Sequence, residues 1–118
     1  MEFEALTYKI IGAGMEVHSL LGPGFLESIY KNALMHELRL RGVEPRTEVD
    51  LCIKYKDRTV GRHRIDIIAD NAVIIELKAV SAINDLHIAQ ALSYLKAKAR
   101  AGIDSQFRRS LIIVEKAD

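Results

Sequence analysis

Apolar residues recur at helical spacing along the first forty positions, and the period then changes to two. Leu6, Ile10, Ala13, Val17 and Leu20/Leu21 predict a first helix over about 4–20. Leu21-Gly22-Pro23-Gly24 ends it, because two glycines around a proline do not continue a helix. Leu26, Ile29/Tyr30, Ala33/Leu34 and Leu38 form the stripe of a second helix from roughly Phe25 to Arg41, with Gly42 as its stop. From Glu48 onward, Val49, Leu51, Ile53 and Tyr55 alternate with Asp50, Cys52, Lys54 and Lys56, the pattern of a half-buried strand. Lys56-Asp57-Arg58 reads as a turn, followed by a strand from about Val60 to Ala69 and a second turn at Asp70-Asn71. A third strand covers about Val73 to Val80. Asn84 is placed to cap a third helix reaching Arg100, and Leu111-Ile112-Ile113-Val114 reads as a strand covered on both faces. The order α-α-β-β-β-α-β predicts an α/β fold, a mixed β-sheet with flanking helices.

A length of 118 residues suits one domain spanning 1–118, and an apolar fraction of 49% is enough to build its core. No apolar run approaches the roughly 20 residues of a membrane span, and the acidic start Met1-Glu2-Phe3-Glu4 lacks the plan of a signal peptide. Cys52 is the sole cysteine, so no internal disulfide is available and the cytoplasm is the expected compartment. Net charge is only +1, yet it is unevenly spread. Lys54, Lys56, Arg58, Arg62 and Arg64 stand against Asp57 alone, and Lys96, Lys98, Arg100, Arg108 and Arg109 against Asp104 alone. Such patches are either solvated faces or local phosphate contacts.

Three charges change this picture. Glu76 and Lys78 interrupt the most apolar strand and share one face of it, while Val73, Ile75 and Leu77 share the other. Asp66 likewise interrupts Ile65-Asp66-Ile67-Ile68 on the preceding strand. A buried ion pair between Glu76 and Lys78 is one explanation. The other is a carboxylate pocket for Mg²⁺ (or Mn²⁺), with Lys78 offering a fixed positive charge to a phosphoryl transition state. That second explanation makes a demand on register. A plain two-residue loop at Asp70-Asn71 would set Asp66 opposite Ile75 and turn it away from Glu76. A three-residue connection over Asp70-Asn71-Ala72, or a bulge, sets Asp66 opposite Glu76.

The arrangement Asp66…Glu76-Leu77-Lys78 resembles that of the PD-(D/E)xK nuclease superfamily. The longer string Leu21-Gly22-Pro23-Gly24-Phe25-Leu26-Glu27-Ser28-Ile29-Tyr30 is similar to the signature of one compact branch, the GxxExxY proteins. Glu16-Val17-His18, Ile75 to Val80, His87 to Gln90 and Tyr94-Leu95-Lys96 also resemble blocks of that branch, over roughly residues 5–98. In place of the superfamily's proline-plus-acid the chain has Ile65-Asp66, which keeps the acid. The resemblance implies a restriction-endonuclease-like core and metal-dependent hydrolysis of nucleic-acid phosphodiesters, with DNA favoured over RNA. It further implies metal ligation by Glu27, Asp66 and Glu76, and catalysis by Asp66, Glu76 and Lys78 with Gln90 assisting.

For several residues a plainer reading stands beside this one. An acid at Glu27 also complements a helix dipole. Tyr30 lies one turn further on, where it can pack or hydrogen-bond a phosphate at the edge of the site. His87 and Gln90 share a helical face. Tyr30, Lys54, Lys56, Arg58, Arg62, Arg64 and His87 are the expected nucleic-acid contacts. His18 and His63 have no ligand-like partners in sequence and read as structural or surface residues, and nothing marks Cys52 as a thiolate. Relatives usually continue beyond this point with a further strand, so an exposed sheet edge and a homodimer or larger complex are expected. The alternative function is a non-catalytic nucleic-acid-binding or assembly module that retains the fold, and a third is a structural domain with a buried ion network.

Overall fold

A computed structural model describes the chain over 2–80 and 109–116. Helix α1 spans Glu2–Leu21 and α2 spans Glu27–Leu40. The strands are β1 (Pro45–Arg46), β2 (Val49–Tyr55), β3 (Arg58–Ile65), β4 (Ile67–Ala69), β5 (Val73–Val80) and β6 (Arg109–Lys116). The third helix expected over Asn84–Arg100 lies outside the described residues. No helix among the described residues is long and apolar enough to cross a membrane.

The strands form two sheets rather than one meander. One is four-stranded in the order β1-β4-β5-β6, and the other is the ribbon β2-β3. In the first, β4 runs antiparallel to β1 and β5, while β6 runs parallel to β5, so the sheet is mixed as expected. The strand expected over Val60–Ala69 is broken at Asp66: Ile65 pairs with Val49 in the ribbon, and Ile67 pairs with Ile75 in the sheet. The two-residue strand β1 was not foreseen. Its length gives too few positions for an alternation to register.

Alternation along β5 divides the core. Val73, Ile75 and Leu77 join Ile67 and Ala69 against Ile10, Ala13 and Val17 of α1 and Tyr30, Leu34 and Leu38 of α2. On the opposite side, Ile74 and Ile68 join Leu51 and Ile65 of the ribbon. The four-stranded sheet is thus covered by helices on one face and by the ribbon on the other. Leu20 and Leu26, expected in the helical stripes, are instead about three-quarters exposed. Leu26 is the residue before α2, and its extended backbone turns it out of the stripe. At the ribbon's far end a bulge leaves Val60 without a partner, and Tyr55 is exposed rather than inward.

The α1–α2 connection is built to hold the start of α2. Gly22 and Gly24 both have positive φ, +67° and +105°, which glycine adopts without steric penalty. The Tyr30 hydroxyl donates to the Gly22 carbonyl at 2.6 Å and accepts from the Phe25 amide at 3.3 Å. Tyr30 is fully buried, with its ring edge-on to Phe25. The other end of α2 closes in a Schellman turn, the Val43 amide reaching the Leu38 carbonyl and the Gly42 amide that of Arg39. Tyr30→Phe should keep the packing and lose both loop bonds, costing about 1–2 kcal/mol. Urea unfolding checks this, and an unchanged midpoint would mean that the loop holds its shape without the hydroxyl.

Candidate functional site

The connection between β4 and β5 sets the register of the acids. Asp70 and Asn71 have φ of +50° and +53°, and the Ala72 amide donates to the Ala69 carbonyl at 2.9 Å. Pairing nevertheless resumes at Ala69 with Val73, so Ala72 is an additional residue and the connection is Asp70-Asn71-Ala72. Ile67 faces Ile75, and one step further along the same register Asp66 falls opposite Glu76. The loop is fastened from outside as well. The Glu44 amide donates to the Asp70 carboxylate at 2.7 Å, and the Arg46 guanidinium to the Asn71 side-chain oxygen at 2.8 Å.

Asp66 itself occupies the break between the two sheets. Its backbone carbonyl accepts from the Thr47 hydroxyl at 2.9 Å, and its Oδ2 accepts from the Leu77 amide at 2.9 Å. The carboxylate therefore does for Leu77 what the backbone of a continued strand would have done. It is half-buried, held at the edge where β4 begins.

Glu76 is only 5% exposed, on the ribbon-facing side of β5 with Ile74 and Lys78. Its Oε1 lies 3.0 Å from Nε2 of His63, which reaches across from β3. Lys78, two residues along, is exposed. Glu27 heads α2, where no side chain caps the helix. Its carboxyl is raised above the usual 4.5, chiefly because the surrounding protein desolvates it and then because the Asp66 charge repels it. Glu76 adds to the repulsion, while Lys78 and Lys31 oppose it. Glu27, Asp66, Glu76 and Lys78 therefore share one electrostatic neighbourhood, although they come from α2, the sheet break and β5.

Among the described residues, no group of three or more His, Cys, Asp or Glu side chains is arranged to hold a metal ion. A hard divalent ion does not require such a group. Mg²⁺ keeps several waters and commonly takes one or two carboxylates. Asp66 and Glu76 from adjacent strands, with Glu27 nearby, suit such an ion by donor type and by charge.

Other expected residues fall differently. Lys54, Lys56, Arg58, Arg62 and Arg64 are all exposed on the ribbon, where Arg64 pairs with Asp50 at 3.3 Å and the Lys56 ammonium sits 5.4 Å from the Tyr55 ring centroid. Tyr30, named among the expected nucleic-acid contacts, is packed inside the fold. Its burial and its bonds to Gly22 and Phe25 make it the anchor of the loop before Glu27. His87 and Gln90 lie outside the described residues. His63, expected to be structural or at the surface, is half-buried and lies 3.0 Å from Glu76. An unbroken strand from Val60 to Ala69 would put His63 and Asp66 on opposite faces. The break at Asp66 cancels that parity, and a lone histidine between Arg62 and Arg64 carried no signal of it.

The family model of the PD-(D/E)XK nuclease superfamily matches residues 4–109, and the chain belongs to that superfamily. No curated protein and no solved structure matches it. The helices, antiparallel pairings and parallel return strand are consistent with the nuclease fold of that superfamily.

The Glu27 environment gives a pH-dependent expectation. A carboxyl whose folded pKa is raised binds its proton more tightly in the folded state, so stability falls as pH rises from about 4.5 through the raised value. Glu27→Gln should therefore raise the Tm of metal-free protein near neutral pH, and the gain should vanish below pH 4.5. Since the side chain reaches solvent, the gain should be only on the order of a degree or two. Thermal melts in EDTA across pH check it, and an equal gain at low pH would mean that charge is not its source.

Proposed function

We propose that this chain is a divalent-metal-dependent nuclease that hydrolyses nucleic-acid phosphodiesters, with DNA favoured over RNA, and that it belongs to the GxxExxY branch of its superfamily. The observation that carries the reading is the register that sets the carboxylates of Asp66 and Glu76 on facing positions of adjacent strands, in a chain of the nuclease superfamily. A purely structural design has no reason to gather acids that repel one another. A bound cation turns the repulsion into attraction.

In this reading Asp66 and Glu76 hold the ion and Glu27 completes the set from α2. When bound, Mg²⁺ or Mn²⁺ supplies Lewis acidity at the phosphate and lowers the pKa of an attacking water. The chain's own residues do the rest. The Leu77 amide fixes the Asp66 carboxylate, so its position does not depend on a free rotamer. Lys78 offers its ammonium to the charge that builds on the phosphoryl oxygens, an interaction stronger in the transition state than in the ground state. Gln90 is proposed to orient Lys78 or the attacking water. The ribbon's Lys54, Lys56, Arg58 and Arg62 offer local phosphate contacts, with Arg64 partly engaged by Asp50.

Two measurements test this. Mn²⁺ should raise the Tm of the wild type, and Asp66→Asn and Glu76→Gln should each lose that response. Equal stabilisation of all three proteins would place the ion elsewhere. The second is an Mn²⁺-dependent assay on single-stranded, duplex and branched DNA, with RNA beside them. Lys78→Ala should lower cleavage by at least about 100-fold, the effect of removing one preorganised charge. A metal-binding wild type that cleaves none of these substrates would favour the non-catalytic binding module.

A further inference from the structure

We propose that His63 is the positioning residue for Glu76, holding one carboxylate oxygen so that Glu76 presents itself correctly to a divalent cation. This rests on the reading of Glu76 as a metal ligand. Three observations carry it. Glu76 is 5% exposed, so solvent cannot orient its carboxylate, and burial without a hydrogen bond would be costly. His63 Nε2 meets Oε1 at 3.0 Å across the gap between the two sheets. Finally, His63 stands opposite Leu51 on the inner row of the ribbon, between the pairs Val49–Ile65 and Ile53–Gly61. A single imidazole in an otherwise apolar row, aimed at the one buried carboxylate among the described residues of the facing sheet, is a directed contact.

The chemistry constrains the tautomer. An ionised carboxylate only accepts hydrogen bonds, so Nε2 must carry the hydrogen and donate it. A donor on one oxygen fixes the carboxylate plane, which is what partners of metal-binding carboxylates do in general. The same contact ties the basic ribbon to the site, since Arg62 and Arg64 flank His63 on the ribbon's outer row. Phosphate contacts on the ribbon and the acids on the sheet are thereby held in one frame.

The test measures Mn²⁺ binding to the folded protein by the loss of the free-ion electron paramagnetic resonance signal, well below the unfolding temperature. His63→Ala should weaken binding by about 10–100-fold. His63→Gln should recover most of it, because its side-chain amide can donate from near the Nε2 position. Should His63→Ala fail to fold, His63→Asn, too short to reach Glu76, takes its place with the same expected loss. A purely structural role would lower Tm without changing the affinity of the folded protein. Wild-type affinity in His63→Ala or His63→Asn would overturn the proposal and leave the metal site standing. A wild type whose Mn²⁺ binding is absent, or unaffected by Asp66→Asn and Glu76→Gln, would overturn the site reading and this inference together.

Discussion

A strand that leaves a sheet abandons a backbone donor on its neighbour, and that donor must find another acceptor or be left buried at a cost. Here the chain leaves the ribbon at Ile65, enters the four-stranded sheet at Ile67, and passes Leu77 between the two. The Asp66 carboxylate takes the Leu77 amide, while the Thr47 hydroxyl takes the Asp66 carbonyl. One acidic residue thus allows the chain to change sheets and has its own side chain fixed by the change. The ribbon can then cross the open face of the sheet, and that crossing brings His63 to Glu76. An apolar residue at 66 would give the crossover no acceptor for Leu77, and the position would lose its chemistry and part of its structural support together.

Much of this was legible in the chain because periodicity and turn chemistry are local. The helical stripes through Ile10, Ala13, Val17, Leu34 and Leu38, the alternation of Val49, Leu51 and Ile53, and the stop at Gly42 each follow from residues a few positions apart. The three-residue β4–β5 connection was legible for another reason: parity allows Asp66 and Glu76 to meet in one register and forbids it in the neighbouring one. What escaped was the break at Asp66. Ile65-Asp66-Ile67-Ile68 looks continuous, and the cause of the interruption is a bond to Leu77, eleven residues away. An unbroken strand gives His63 no path to Glu76, and the sequence offered no other partner for it. Tyr30 stood open between packing and a phosphate contact, because a tyrosine hydroxyl beside an acidic helix start suits either. Only the Gly22 carbonyl decides between them.

The Gly24, Glu27 and Tyr30 spacing then acquires a physical meaning. Glycine permits the loop its φ of +105°, tyrosine clamps the loop from within the core one turn along the helix, and glutamate is presented from the first turn between them. Glu27 stands where a helix dipole welcomes an acid, yet its carboxyl is raised. Burial and the charges of Asp66 and Glu76 therefore outweigh the two lysines. A dipole alone would have shifted it the other way.

Repulsion among Glu27, Asp66 and Glu76 is tolerable because each is restrained by something other than its charge. Asp66 is held by an amide and Glu76 by an imidazole, while the clasped start of α2 fixes the backbone from which Glu27 projects. Restraint of this kind has a thermodynamic consequence for binding. Carboxylates free to swing apart would relax their repulsion in the unbound state, and a cation would first have to gather them again. Carboxylates held by hydrogen-bond donors and by the fold would keep that unfavourable energy in the folded, metal-free protein. In the proposed reading a cation would release it on arrival, so part of its affinity would be built in before it binds. The same restraint explains why the ribbon belongs to the site rather than beside it: without the layer that carries His63, Glu76 would be an acid on an uncovered sheet face, free to turn toward water.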